Sequence, residues 1–328
     1  MNQARLFHEV AILPSVFGSP DRALSLGDYS DLRQLLSDLR VASVVADLDF
    51  GNWHRAVSRA LESNEGLTFQ DRERISALLE WLQRNNRLVT FPKRGAGDAA
   101  ELQDWLDLIS DSDETNPVDW AISDSNCEPP LLKTGRKCIS VRQVLQNKIW
   151  ERRNSLDVQL CDNGMRDILR VLLKHAGRVD VIDPYLNPDN GNTARFLRIC
   201  QELTGTSRHS VAHPLVQIHT SIGNKPIEQL DKICESWIKR LSRQASLSGS
   251  GIAFRVYIYE KDYMHDRFLL TDQDLGIQSG HGFASAESQQ GAKLTTWNLL
   301  DPEVVHARRI DFNPQLAASR ILATLPST

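Results

Sequence analysis

The segment Arg178-Val179-Asp180-Val181-Ile182-Asp183-Pro184-Tyr185 decides the fold class of this chain. Its apolar residues alternate with polar ones and predict a strand, and the Asp-Pro pair that follows is typical of a turn. A helix precedes this strand, because Met165, Leu169 and Leu172 lie on one helical face and Gly177 ends the run. The segment therefore begins a part of the chain in which helices and strands alternate.

Two further strands follow at 215–220 and 252–259, and each is preceded by a segment with helical spacing of apolar residues. Strand, helix, strand, helix and strand in succession imply parallel strands with right-handed crossovers. Shorter strands at 268–270, 276–278 and 294–299 are separated by turns and are expected to add an antiparallel edge. The fold class predicted for this part is α/β, with a mixed, mainly parallel sheet flanked by helices.

The first part of the chain has a different pattern. Leucines at helical spacing over Leu32–Leu39 and a second apolar stripe over Ile75–Leu82 predict a mostly helical N-terminal domain. Short apolar pieces such as 42–46 and 87–91 are candidate strands. This part of the chain resembles no family that we can name, so its role is open.

An acidic segment precedes the candidate domain boundary. Residues 98–128 hold ten acidic residues and no lysine or arginine, which is typical of a solvated surface and also suits docking to a basic protein partner. Pro129-Pro130 then breaks the chain. We predict an N-terminal domain over 1–130, a connecting segment over 131–160 and a second domain over 161–328.

Composition excludes several classes of protein. The 328 residues are 41% apolar and carry a net charge of −4, so a packed core is expected and non-specific adhesion to nucleic acid is not favoured. No apolar run approaches the roughly 20 residues of a transmembrane helix, and the N-terminus lacks a signal-peptide pattern. The five cysteines form no C-x-x-C pair, and no metal-ligand spacing is present. We expect a cytoplasmic protein without metal or other cofactor.

The strongest candidate for chemistry is the spacing of His265, Arg267 and Asp272. An imidazole can attack or protonate at neutral pH, and a guanidinium can hold two phosphoryl oxygens. A carboxylate can fix the tautomer of a histidine. His265 and Arg267 are two residues apart on an extended chain and are expected to point to the same side. If the three side chains converge, they form a phosphate-handling site.

Other polar residues are expected at the same edge of the sheet. Asp183 and Tyr185 end the first strand, and His219 ends the second. The carboxyl ends of parallel strands carry functional residues, and His265 begins the next strand at that edge. Each of these residues also has a structural interpretation: a turn for Asp183-Pro184-Tyr185 and a packed histidine for His219.

Together, these residues carry a resemblance to the phospholipase D superfamily. His265, Arg267 and Asp272 are similar to its H-x-K-x4-D motif, and Ser279-Gly280 follows where that family has a glycine-serine pair. The chain departs from the family in three ways. Arginine replaces lysine, the small pair is inverted, and Phe283 stands where the family has a downstream asparagine.

The resemblance is closer to the phospholipase D-like domain at the C-terminus of MIT-domain proteins. That group has an aspartate-proline-tyrosine after its first strand, as at Asp183–Tyr185, and a histidine-aspartate-arginine at a strand start, as at His265–Arg267. It also has a glycine-x-glycine turn, as at Gly280–Gly282. The similarity covers residues from about 160 to 315.

The resemblance implies two different functions. Active superfamily members are phosphodiesterases, including lipases and nucleases, in which one histidine attacks phosphorus and a second protonates the leaving oxygen. On that basis His265 is the expected nucleophile, Arg267 the charge-stabilising group and Asp272 the activating acid. Ser279 and His281 are expected to contact the phosphate. The motif occurs once, so the second histidine would come from a homodimer partner or from His219 or His281.

The alternative is a non-catalytic module. MIT-type domains look non-catalytic and serve in binding, so the same edge could recognise a phosphate-containing ligand such as a nucleic-acid end, or a protein partner. A third interpretation makes the second domain an effector in a bacterial conflict or antiviral defence system, with the N-terminal domain as its sensor or docking part; that interpretation rests on analogy.

Overall fold

A computed structural model describes residues 6–18, 26–91, 102–113, 118–124, 138–146, 154–206, 214–221, 229–248, 252–288 and 290–325. The chain divides into two compact units, Phe7–Arg152 and Arg153–Thr328, and Leu6 groups with the second. We call them the N-terminal unit and the C-terminal unit. In the described part of the chain, no helix is long and apolar enough to cross a membrane.

The N-terminal unit is built on a parallel sheet. Its strands are β1 (His8–Ile12), β2 (Ser43–Asp47), β3 (Leu88–Thr90), β4 (Trp120–Ser123) and β5 (Cys138–Ser140), in the order β3-β2-β1-β4-β5. Every pairing between these strands is parallel. Its helices are α1 (Leu26–Ala42), α2 (Asn52–Ser63), α3 (Phe69–Arg84), α4 (Leu102–Asp113) and α5 (Val141–Gln146).

Helices hold more of the N-terminal unit than strands do, but the sequence did not predict the parallel sheet on which they are built. Both predicted helical stripes are present, as α1 and α3, and the two candidate strands are β2 and β3. The acidic segment holds α4 and β4, and β4 lies directly beside β1 in the sheet. The predicted connecting segment, 131–160, contributes β5 to this sheet, so the N-terminal unit is α/β. Pro129-Pro130 lies outside the described residues.

The C-terminal unit is a second α/β unit. Its strands are β6 (Ser155–Gln159), β7 (Arg178–Ile182), β8 (Leu215–Ser221), β9 (Ala253–Tyr259), β10 (Phe268–Thr271), β11 (Gly276–Ser279), β12 (Leu294–Leu299) and β13 (Ile321–Leu325). Its helices are α6 (Asp162–Lys174), α7 (Gly191–Leu203), α8 (Leu230–Ser248) and α9 (Pro302–Asp311).

Its sheet is mixed rather than mainly parallel. The order is β13-β9-β8-β7-β10-β11-β12-β6, and among these strands only the β7–β8 and β8–β9 pairings are parallel. The antiparallel strands predicted as an edge begin in the middle, because β10 pairs with β7. β6, α9 and β13 were not predicted. β13 and β6 are the two edge strands.

The two faces of this sheet have different surroundings. Ile182, Phe268 and Leu270 belong to one core cluster with Val305 of α9, and we call that side the α9 face. The opposite side, which we call the α7 face, carries Trp297, and Phe283 packs there between Trp297 and Phe196 of α7. Alternation along each strand places every second side chain on each face, so both faces are buried. The candidate site lies at one end of the α7 face.

Candidate functional site

The register of β7 and β10 brings Asp183 and Arg267 together. Ile182, the last residue of β7, lies opposite Phe268, the first residue of β10. The two strands are antiparallel, so the residue after Ile182 and the residue before Phe268 are neighbours. These residues are Asp183 and Arg267. Both side chains belong to the α7 face, because each precedes or follows a residue of the α9 face.

Asp183 has a buried carboxylate, with 5% of the residue exposed. Its Oδ1 accepts the backbone N–H of Tyr185 at 2.9 Å, and the carboxylate also accepts the backbone N–H of Phe283. Burial raises the pKa of Asp183, while the two N–H donors and Arg267 act in the opposite direction. The side chain therefore joins the turn after β7, the start of β10 and the loop after β11.

The side chain of Arg267 is partly buried where these three segments meet, with 23% of it exposed. Its Nε is 3.7 Å from Oδ1 of Asp183, and its Nη1 donates to the carbonyl of Gly280 at 3.0 Å. Its Cζ lies 5.0 Å from the ring centroid of Tyr185, in cation–π contact. No acceptor among the described residues pairs with Nη2, so the outer edge of the guanidinium can bind an anion.

The turn after β11 closes against the same carboxylate. Gly282 adopts φ +83°, and a Cβ at this position would lie 2.6 Å from Oδ2 of Asp183. The hydroxyl of Ser279 donates to the carbonyl of Gly282 at 2.8 Å. Both the backbone conformation and the close approach require glycine at 282. Ser279 is buried and its hydroxyl proton is already used inside the protein.

His265 and His281 are the exposed histidines at this edge. His265 precedes Arg267 by two residues, and His281 follows Gly280, whose carbonyl binds Arg267. Neither imidazole has a hydrogen-bond partner among the described residues. Both residues are exposed and are close to Arg267 along the chain or through Gly280. We call Tyr185, His265, Arg267 and His281 the Arg267 rim.

Asp272 does not join the rim, which corrects the expectation that it meets His265. It follows β10, whereas Arg267 precedes it, and five residues of extended chain span about 17 Å. Its Oδ1 accepts the backbone N–H of Gly177 at 3.0 Å, and its N–H donates to the carbonyl of Arg178. Both contacts lie at the start of β7, which is the opposite end of that strand from Asp183. Asp272 stabilises the entry to β7.

His219 is also absent from the rim. It lies opposite Ile182 in the sheet and is 1% exposed on the α9 face. Its ring stacks on Tyr257, with centroids 5.2 Å apart, and Nδ1 is 3.0 Å from the hydroxyl of Tyr259. Nε2 lies 3.6 Å from Oδ1 of Asp180. The structural interpretation of His219 is the one that its surroundings support.

Phe283 anchors the loop after β11, a role that no motif in the sequence predicted. Phe283 stacks on Phe196 with centroids 5.3 Å apart and packs against Trp297 at 5.9 Å. These contacts anchor the loop that presents His281. Phe283 was noted only as a departure from a motif, but a large apolar residue beside two glycines is itself a signal of an anchored turn.

The arrangement can bind an anion, and a metal site is not supported. Among the described residues, no group of three or more histidine, cysteine, aspartate or glutamate side chains could hold a metal ion. The exposed part of the Arg267 guanidinium and two accessible imidazoles suit a phosphate oxygen.

In comparisons with known proteins, no family model and no curated protein matches this chain.

Proposed function

We propose that the C-terminal unit is a phospholipase D-like module that binds a phosphate-containing ligand at the Arg267 rim without hydrolysing it. The observation that carries the proposal is the position of Arg267. Its guanidinium is fixed by Gly280, Asp183 and Tyr185, yet its outer edge remains accessible. A guanidinium fixed in this way loses little side-chain entropy when it binds a phosphate oxygen.

Binding without hydrolysis is favoured by what surrounds His265. A histidine nucleophile is normally oriented by a group that bonds its second ring nitrogen. None of the described residues does this, and Asp272 is engaged with Gly177 at the far end of β10. His219 is buried on the other face and cannot serve as the second histidine. Among the described residues, no side chain orients His265 as a nucleophile, and this supports binding rather than covalent catalysis.

The three short motifs behind the resemblance also support the proposal. Asp183 and Tyr185, then Arg267, then Gly280 and Gly282 come from separate segments, and contacts of Arg267 and Asp183 join all of them. The resemblance gives these residues a shared place in phospholipase D-like domains of the MIT type. Those domains look non-catalytic, which agrees with the surroundings of His265.

A phosphodiesterase is the second candidate, and one observation favours it. His265 is exposed beside Arg267, and His281 stands on the neighbouring turn, so two imidazoles could approach one bound phosphate. In that case His265 would attack phosphorus and His281 would protonate the leaving oxygen. This candidate requires the ligand itself to orient both rings.

One experiment separates the two candidates. Bis(p-nitrophenyl) phosphate is both a chromogenic phosphodiester and a ligand, so binding and turnover are measured on the full chain with the same compound. We expect binding without release of nitrophenolate, and an approximately tenfold or greater loss of affinity in Arg267→Gln, since a charge-assisted hydrogen bond contributes about 1.5–3 kcal/mol. Turnover that disappears in His265→Ala would establish the phosphodiesterase instead.

The matched control is Arg308→Gln. Arg308 also pairs with a carboxylate, Asp311 at 2.9 Å, and lies over an aromatic ring, that of Phe268 at 5.6 Å. It belongs to α9, on the other face of the sheet, so its replacement should leave affinity unchanged. Equal losses in both arginine variants would indicate a general charge effect and would reject the Arg267 rim as the binding site.

A further inference from the structure

Tyr185 is the exposed aromatic residue of the Arg267 rim. The residue is 74% exposed, although its backbone N–H is fixed by the Asp183 carboxylate and its ring contacts Arg267. A single exposed aromatic residue is common on protein surfaces and needs no explanation by itself. The ring of Tyr185, however, lies against the guanidinium of Arg267, the group proposed to bind phosphate. Its position therefore bears on what else the ligand contains.

A flat ring beside a fixed guanidinium matches the two parts of a nucleotide. Nucleic-acid-binding proteins stack bases on tyrosine rings, and each stacked base contributes about 1–3 kcal/mol. Arginine meanwhile binds phosphate oxygens through charge-assisted hydrogen bonds. Tyr185 offers the first contact and Arg267 the second, in adjacent positions of one rim.

The charges around the rim indicate that it contacts one nucleotide unit of a ligand, not a long stretch of phosphates. Arg267 is the only arginine or lysine of the rim, and the exposed charged residues of the chain just before it are three acids and one lysine: Glu260, Lys261, Asp262 and Asp266. The whole chain carries a net charge of −4. A long polyanion follows a continuous basic groove, and this edge offers one cation with two imidazoles.

We propose that Tyr185 and Arg267 together hold one nucleotide, with its base on the tyrosine ring and its phosphate on the guanidinium. This inference rests on the proposed phosphate binding and names its ligand class. The nucleotide is either a free nucleoside monophosphate or one residue of a single strand. Both share the same base-plus-phosphate chemistry.

The test compares ligands that have the same phosphates with and without bases. A fluorescein-labelled eight-residue oligothymidylate and an abasic oligonucleotide of equal length are titrated into the full chain and followed by fluorescence anisotropy. Wild type and Tyr185→Phe should bind the oligothymidylate roughly tenfold more tightly, as expected for about 1.4 kcal/mol of stacking. Tyr185→Ala should bind both oligonucleotides equally. Because Tyr185 is exposed, the Tm of Tyr185→Ala should equal that of wild type, which shows that the variant is folded.

Competition by thymidine monophosphate against ribose 5-phosphate identifies the source of the nucleotide. Stronger competition by thymidine monophosphate supports a free nucleotide, whereas a base preference that appears only in the oligonucleotide supports a single strand. Equal binding of both oligonucleotides by wild type would overturn the nucleotide inference while leaving phosphate binding intact. No binding of any phosphate compound would overturn the proposed function as well. Tyr185-dependent binding to phosphatidylserine vesicles without a base preference would assign the rim to a lipid surface and reject the inference.

Discussion

At the scale of single residues, the candidate site is organised by a buried carboxylate. Asp183 is buried and joins the turn at Tyr185, the guanidinium of Arg267 and the loop at Phe283. Its charge is costly in this position, since burial raises its pKa. The N–H donors and the guanidinium compensate for that cost. Asp183 is therefore a positioning residue for the rim.

Gly282 gives the clearest residue-scale prediction. Gly282→Ala places a Cβ 2.6 Å from Oδ2 of Asp183 at a φ of +83°. A non-glycine residue in this region of backbone space costs about 1–3 kcal/mol, to which the steric overlap adds. We expect the free energy of unfolding of the C-terminal unit to fall by at least about 2 kcal/mol, measured by urea denaturation.

Gly280→Ala is the matched control for that prediction. Gly280 lies in the same turn, but the nearest atom to an added Cβ is Thr295 Oγ1 at 3.7 Å, an ordinary contact. Its replacement should change the free energy of unfolding by less than about 0.5 kcal/mol. Similar effects of the two substitutions would mean that the turn does not close on Asp183 as described.

The sequence predicts some rim residues and misplaces others for one physical reason. Asp183, Tyr185 and Arg267 lie at strand ends, where spacing along the chain is enough to place them. Asp272 and His219 depend on register and on the face of the sheet, which local sequence does not determine. Four residues of β10 separate Arg267 from Asp272.

At the scale of elements, α9 covers a face of the sheet whose burial the sequence does not reveal. In β9, Tyr257 and Tyr259 alternate with apolar residues and share a side with Arg255, a pattern typical of a polar face, yet the two tyrosines are 7% and 0% exposed. α9 and the residues after it cover that side, with Phe312 of the same core cluster packing near Tyr259. The helix was missed because it has apolar residues on both sides, which hides the helical period.

Two adjacent valines of α9 test its role. Val305 is fully buried, and Val304 is 39% exposed. Val305→Ala removes two buried methyl groups and leaves a cavity, so we expect a loss of about 2 kcal/mol in the free energy of unfolding. Val304→Ala should cost less than about 0.5 kcal/mol, because alanine has the same effect on helix propensity at both positions. Equal losses in urea denaturation would show that α9 does not cover the sheet.

Edge strands were the other elements that local sequence did not reveal. β6 and β13 form the two ends of the eight-stranded sheet. β6 does alternate polar and apolar residues, as Ser-Leu-Asp-Val-Gln, but it is five residues long and holds only two apolar residues, so the pattern is too short to stand out. The central strands β7, β8 and β9 were predicted within one or two residues, because apolar residues recur at every second position in each of them.

At the scale of the whole molecule, the chain contains two separate α/β units. The sequence predicted alternating helices and strands for the second and missed the parallel sheet of the first. β1 and β4 of that sheet are short, and β4 lies inside the acidic segment, so neither stands out from its surroundings. Their pairing joins segments about 110 residues apart, which local patterns cannot reveal.

The central claim is that one phosphate binds to the outer edge of Arg267. The most direct measurement is a crystal structure of the full chain grown with a saturating phosphodiester. We predict a phosphate oxygen about 2.7–2.9 Å from a guanidinium nitrogen of Arg267, with His265 or His281 beside it. A phosphate bound elsewhere on the chain, with the Arg267 rim empty, would contradict the account.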